Sequence, residues 1–147
     1  MLEDEPRPGQ GLPPANETVA AVSLWLSTGI HLLIMANGAG VLRSFVRGMS
    51  LLFAAFLIVA GNVMGQVRPN WVVGIRTRWT LSSREVWRRT HRFAARLMVG
   101  AGLLSIPVAF LLPPASAFAA SIALLTSAMF LPVGYSYWCW KDTRGRS

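Results

Sequence analysis

The side chains that could do chemistry in this protein are concentrated in residues 61–97. This stretch holds eight arginines, three tryptophans and one histidine, although charged residues make up only 14% of the 147-residue chain. Guanidinium groups and backbone amides bind anions such as carboxylate or phosphate, and histidine titrates near neutral pH. The candidate functional residues are Asn62, Arg68, Asn70, Gly74, Arg76, Thr77, Trp79, Trp87, Arg88, Thr90, His91 and Arg92.

Two interpretations of the polar loop in this stretch are open. In the first, Arg76 and nearby backbone amides bind an anionic group. In the second, the loop is a structural plug whose polar groups satisfy one another. Residues 70–81 mix turn formers, a glycine and hydroxyls with arginine and tryptophan, which is more than topology and lipid anchoring require.

The same residues do not favour an enzyme. His91 lies one helical turn after Trp87, and a histidine in such a place is more typical of a packed, hydrogen-bonded residue than of a catalyst or metal ligand. The lone Cys139 excludes an internal disulfide and is expected to be a small buried residue. Because no acidic residue or nucleophile motif falls inside the apolar segments, we expect no catalysis, no cofactor and no metal.

The elements that position these residues are predicted from hydropathy. With 53% hydrophobic residues, the chain contains four apolar segments of roughly membrane-spanning length, at about 19–42, 48–67, 93–112 and 115–137. The net charge of +8 could suggest nucleic acid, but the basic residues flank the apolar segments, so direct nucleic-acid binding is not expected. The predicted fold is an all-α integral membrane protein with four transmembrane helices.

Between the second and third segments, the spacing predicts an interfacial basic loop followed by an amphipathic helix. Ser82 and Glu85 fit a capping box, so a helix is expected to begin near Ser83 and to continue into the third span. Glu85 and Arg89 should form a favourable pair at spacing i, i+4. A second stripe consists of Trp87, His91, Ala94 and Met98.

Close helix packing is indicated by Gly61-x-x-x-Gly65 in the second segment. We expect this pair to make a contact inside the four-helix bundle, in preference to a dimer seam.

Charge predicts the orientation. Twelve of the fourteen lysines and arginines lie in the basic loop or the two tails, whereas Arg43 and Arg47 lie in the opposite loop. The positive-inside rule therefore makes the basic loop and both termini cytoplasmic. The expected organisation is a flexible acidic, proline-rich tail over 1–18, a membrane domain over 19–140 and a basic tail over 141–147.

The pattern resembles one known family. Gly61-Asn62, Arg68-Pro-Asn-Trp, Gly74-Ile-Arg-Thr, Trp79-Thr-Leu-Ser-Ser, Val86-Trp-Arg-Arg-Thr-His-Arg and Pro132-Val-Gly-Tyr-Ser-Tyr together look like the SdpI family of bacterial membrane proteins. The resemblance implies a protein of the cytoplasmic (inner) membrane that gives immunity to a secreted toxic peptide and signals by holding a transcriptional repressor. Two departures are the short, four-span form and Arg78, which stands where the family usually has proline.

The predicted orientation bears on which of the implied partners contacts the loop. A secreted toxin peptide arrives from outside, whereas the loop is predicted to face the cytoplasm. A cytoplasmic repressor or anionic lipid headgroups suit that side better. The alternative function is therefore a lipid-interacting structural or accessory membrane subunit without a toxin partner.

Overall fold

The computed structural model describes residues 14–41, 44–67, 69 and 74–144 of the chain. Along these residues the helices are α1 (Pro14–Gly38), α2 (Phe45–Met64), α3 (Arg78–Ser82), α4 (Arg84–Leu111) and α5 (Pro114–Arg144). The described ranges contain no strand, and all of these helices except α3 are long and apolar enough to cross a membrane. The prediction of an all-α membrane protein with four spanning helices is confirmed.

The bundle is built around α4. This helix packs extensively against α2 on one side and α5 on the other, whereas α1 contacts α2 alone among the described helices. The core contains Leu57, Met98, Ala101 and Ala128, one or two from each of α2, α4 and α5. Buried serines in these helices donate to the carbonyl one turn back, as Ser105 does to Ala101 at 2.8 Å, which satisfies the hydroxyl within its own helix.

Glycines set the distance between α2 and α4. A Cβ added to Gly61 would lie 3.0 Å from the Ala95 carbonyl oxygen, and one added to Gly102 would lie 2.8 Å from the Ala54 carbonyl oxygen. Gly65 also faces Ala95. The Gly61 and Gly65 pair therefore makes a contact inside the bundle, as its spacing predicted.

The end of α1 and the beginning of α2 differ from the predicted span limits because of local capping. Helix α1 ends at Gly38, four residues before the predicted limit, in a Schellman motif. Gly40 has φ +71°, its N–H donates to Asn37 O at 3.0 Å, and the Val41 N–H donates to Ala36 O at 3.0 Å. Helix α2 begins three residues before the predicted limit because Ser44 is its N-cap. The Schellman motif and the N-cap depend on backbone conformation and hydrogen bonding, so a hydropathy profile does not detect them.

Arg47 joins the start of α2 to the end of α4. Its Nε donates to the Ala109 carbonyl oxygen at 2.9 Å, and its guanidinium lies over the Phe110 ring. Ala109 is in the last turn of α4, where carbonyls lack partners within the helix. This arginine of the opposite loop therefore has a structural role.

The predicted capping box at Ser82 and Glu85 is wrong. The N-cap of α4 is Ser83, which accepts from the Val86 N–H, while the Ser82 hydroxyl donates to Trp79 O. Glu85 forms ion pairs with the arginines of the next turn instead of reaching back. The helix does run unbroken into the third span, as expected, and α5 begins at Pro114, the second proline of the turn, and extends to Arg144.

Candidate functional site

The site begins with a short helical turn that closes the polar loop. Thr77 is the N-cap of α3, and it forms a reciprocal capping box with Thr80: the Thr80 N–H donates to Thr77 Oγ1, and the Thr77 N–H donates to Thr80 Oγ1. The Thr80 hydroxyl also donates to the Ile75 carbonyl oxygen at 2.7 Å. One buried threonine thus fixes the backbone from 75 to 80.

His91 holds the same loop from the side of α4. Its Nδ1 lies 2.9 Å from the Trp87 carbonyl oxygen, and its Nε2 lies 3.1 Å from the Ile75 amide nitrogen. A carbonyl can only accept and an amide can only donate, so the ring is neutral with its proton on Nδ1. It is 1% exposed and stacks on the Trp87 ring with centroids 4.0 Å apart. The prediction of a packed, hydrogen-bonded histidine is confirmed.

Gly74 makes this contact sterically feasible. Its φ is +118°, a region that residues with a Cβ rarely adopt. A Cβ built on Gly74 would lie 2.5 Å from His91 Nε2 and 3.1 Å from the Trp87 ring. Glycine is therefore required here for two independent reasons, backbone conformation and close approach.

Trp87 holds the other end of the loop. Its indole Nε1 donates to the Val67 carbonyl oxygen at 2.9 Å, just after α2 ends. Trp87 and His91, one turn apart on the same α4 face, therefore fix the chain at Val67, before the loop, and at Ile75, within it. We call Gly74, Ile75, Thr77, Thr80, Trp87 and His91 the loop cluster.

The loop cluster also contacts α5. The hydroxyls of Thr77 and Ser136 lie 3.2 Å apart, and Ser136 is fully buried. The Trp79 ring packs edge-on against Tyr137, with centroids 5.2 Å apart, and lies 6.0 Å from the Trp140 ring. The loop is thus bonded to α4 and packed on the last turns of α5.

Charged side chains surround the loop cluster at the surface. Glu85 pairs with Arg88 and with Arg89, the latter at 2.7 Å, and Arg89 reaches Asp142 of α5 at 3.5 Å. The predicted Glu85 and Arg89 pair is therefore present. Exposed pairs of this kind add little to stability, because solvent screens them and ordering the side chains costs entropy, so they orient the arginines more than they stabilise the fold.

The predicted site residues separate into three groups. Gly74, Thr77, Trp87 and His91 come together in the loop cluster, with Trp79 beside it and Thr90 fully buried next to His91. Arg76, Arg88 and Arg92 are exposed around it. Asn62 instead lies on the exposed side of α2, where its amide donates to Ile58 O at 2.9 Å. Arg68 and Asn70 lie outside the described residues.

Sequence reasoning missed Thr80 and Ser136. The spacing Thr77-x-x-Thr80 resembles a capping signal and could have identified the first. Nothing local in the sequence identifies Ser136, because its partner lies 59 residues away.

Most polar groups inside the loop cluster form hydrogen bonds with one another. The backbone groups of Ile75 and the side chains of Thr77, Thr80 and His91 have partners within the cluster or on α5. In the described part of the chain, no group of three or more His, Cys, Asp or Glu side chains could hold a metal ion. These hydrogen bonds fit the plug interpretation for the residues named, although the buried Trp79 Nε1 beside them has no hydrogen-bond partner among the described residues. The arginines lie on the exposed side of the cluster.

Comparison with known proteins shows what this region is similar to. Residues 66–136 match the model of the SdpI/YfhL protein family. The chain is also 32% identical over 95 residues to a protein named immunity protein SdpI from Bacillus subtilis (strain 168). That alignment includes 65% of this chain and 43% of the relative, so the match extends over less than half of the relative's length. No solved structure matches the chain. The region that contains the whole loop cluster, residues 66–136, is thus the part of the chain that is similar to the SdpI/YfhL family of proteins.

Proposed function

We propose that this protein acts in immunity to a toxic peptide at the bacterial cytoplasmic membrane, and that it does so by binding and not by catalysis. The proposal rests on one observation: residues 66–136, which match the family model, contain every residue of the loop cluster. That cluster holds an arginine-rich loop rigidly at one end of a four-helix membrane bundle. The name of the Bacillus subtilis relative supports immunity as the biological role.

The proposed orientation follows from charge. The basic loop, the amino terminus and the carboxyl terminus are proposed to face the cytoplasm, because the positive-inside rule counts lysines and arginines near the ends of the spans. The exposed Arg76 and Arg78 then present cationic groups to the cytoplasm. We propose that a cytoplasmic partner, such as a transcriptional repressor, docks on this surface when the protein signals.

Survival of a toxin-sensitive bacterium tests the immunity role. Cells that produce this protein should survive membrane-active toxic peptides better than cells with an empty vector. Replacing Arg76 and Arg78 by glutamine should bring survival down to the vector level, because the loop then loses both of these exposed charges. Survival equal to the vector for the unmodified protein, across several such peptides, contradicts immunity.

A matched variant separates this role from the alternative, a lipid-interacting accessory subunit. Arg96 of α4 and Lys141 of α5 are exposed outside the loop and are not candidate site residues, and replacing both by glutamine removes the same amount of charge. This variant should keep protection if the loop is a specific binding surface. Equal loss in both double variants, at equal amounts of protein in the membrane, favours general attraction to anionic headgroups.

A further inference from the structure

The membrane helix α1 has two distinct faces. Side chains toward α2 are partly buried, among them Val22, Leu26 and Leu33. On the opposite face, exposed residues recur at alternating spacings of four and three: Ala20, Leu24, Ser27, His31, Ile34 and Gly38. This spacing is the heptad pattern of helices that cross at a small angle, and half of these residues are small enough to let two backbones approach. We call these six residues the outer seam.

His31 makes the outer seam unsuited to lipid. It lies within the apolar span Glu17–Gly38 and is exposed on the face that points away from α2. Ionisable residues inside a membrane almost always face other protein or a water-filled cavity, because hydrocarbon does not solvate them. None of the described helices other than α2 packs against α1, so within this chain nothing described covers His31.

The hydrogen bonding of His31 specifies what must cover it. Its Nδ1 lies 2.8 Å from the Ser27 carbonyl oxygen, which can only accept, so the neutral ring carries its proton on Nδ1. Its Nε2 is then an acceptor that points outward. The backbone N–H groups of an α-helix interior are used within the helix, so α1 itself cannot supply the missing donor.

The outer seam itself contains a suitable donor. The Ser27 hydroxyl lies one turn from His31 on the same face, and it could donate to an acceptor on a facing helix. A two-fold pair of parallel α1 helices brings each seam against an identical seam, and every contact is made twice. The outer seam is therefore self-complementary, because each copy offers both a hydrogen-bond donor and an acceptor to the other.

We infer that α1 pairs with α1 of a second copy of this chain along the outer seam. In the pair, the Ser27 hydroxyl of each copy donates to the His31 Nε2 of the other. The dimer is held by two such hydrogen bonds and by close packing at the small residues. The loop cluster takes no part in it, so this inference is independent of the proposed immunity role.

Disulfide cross-linking in native membranes tests the seam. In a background with Cys139→Ala, the variant Ile34→Cys should form a covalent dimer of the full-length chain on mild oxidation. Leu32→Cys is the matched control, because Leu32 is 61% exposed and two residues away but lies on a flank of α1. A dimer at Leu32→Cys as readily as at Ile34→Cys, or at neither position, overturns the inference. A cross-link of Ile34→Cys to a different protein also overturns it.

Fluorescence energy transfer between labelled copies in lipid vesicles tests the hydrogen bonds. Ser27→Ala should weaken self-association by roughly threefold for each of the two bonds lost, hence about tenfold overall. His31→Leu should weaken it similarly, while Leu32→Ala should leave it unchanged. Ser27 and His31 are both exposed on the face of α1 that points away from α2, so changing them should leave the packing of α1 on α2 intact. Unchanged association in Ser27→Ala and His31→Leu contradicts the proposed pairing.

Discussion

At the residue scale, the central feature is the contact of Gly74 with His91. The histidine can accept from the Ile75 amide only because no Cβ stands between the loop and the imidazole ring. The ring in turn stacks on Trp87, whose indole fixes Val67. These contacts depend on one another, so a substitution at Gly74 should also weaken the contacts that His91 and Trp87 make with the rest of the loop.

Gly74→Ala should therefore destabilise the protein strongly. We expect a loss of about 3 kcal/mol or more, because an unfavourable φ and a steric overlap with His91 add together. Thermal unfolding in detergent micelles measures the effect. Gly40→Ala is the control: it also has a positive φ, +71°, but a Cβ there would meet nothing within 4 Å. Its loss should be about 1–2 kcal/mol, from conformation alone. Equal losses in both variants would show that the contact with His91 is unimportant.

At the element scale, α4 has two roles on one helix. Its first turns hold the loop cluster through Trp87 and His91, and its later turns form the core of the bundle against α2 and α5. Gly102 lies in the second part, where the α2 backbone approaches it closely. Because the helix is continuous from 84 to 111, its packing in the bundle also determines where the loop is held.

Two neighbouring glycines of α4 should respond in opposite directions to alanine. In Gly102→Ala, the new Cβ would lie 2.8 Å from the Ala54 carbonyl oxygen and 3.1 Å from the Ile58 amide nitrogen, so α2 must move away. We expect a loss of about 1–3 kcal/mol. In Gly100→Ala, the Cβ meets nothing within 4 Å, and better helix propensity should add about 0.5–1 kcal/mol. Unfolding of the two variants in the same detergent measures both changes; a stabilised Gly102→Ala variant contradicts the close α2 and α4 contact.

At the scale of the whole molecule, the two ends of the bundle differ. The loop cluster, the arginines around it and the aromatic residues of the last turns of α5 lie at one end of the bundle. The other end has the short α1–α2 connection and Arg47, which is already bonded to Ala109. Such an asymmetry of positive charge orients proteins in the membrane during insertion.

Labelling from outside the cell should distinguish the two ends. In a Cys139→Ala background, Val41→Cys at the α1–α2 connection should react with an impermeant maleimide added to intact cells. Ser82→Cys, which is exposed beside the loop cluster, should react only after the cells are made permeable. The Cys139→Ala protein alone should not react under either condition. The reverse pattern of the two cysteines would place the basic loop outside and remove the argument for a cytoplasmic partner.

Much of this architecture was predictable from the chain alone. Hydropathy located four spanning helices, and spacing identified the α4 stripe of Trp87, His91, Ala94 and Met98, all of which are buried. The helix ends were less predictable, because Gly40 and Ser44 act through capping geometry. The wrong capping box at Ser82 has the same origin: two adjacent serines compete for one N-cap, and the choice depends on how α3 ends.

What the sequence by itself determined is the membrane class, the four helices and the amphipathic character of α4, since hydropathy and periodicity are properties of neighbouring residues. Only the tertiary structure decided the chemistry of the polar loop. The partners of His91 and Thr77 lie 16 and 59 residues away along the chain, at Ile75 and Ser136. A loop has no repeating pattern to indicate its contacts, so its polar groups find whatever donors and acceptors the packed helices bring near. For this reason the sequence left open whether the loop was a plug or an anion site, and only the packing of α4 and α5 gave Ile75 and Thr77 their hydrogen-bond partners His91 and Ser136.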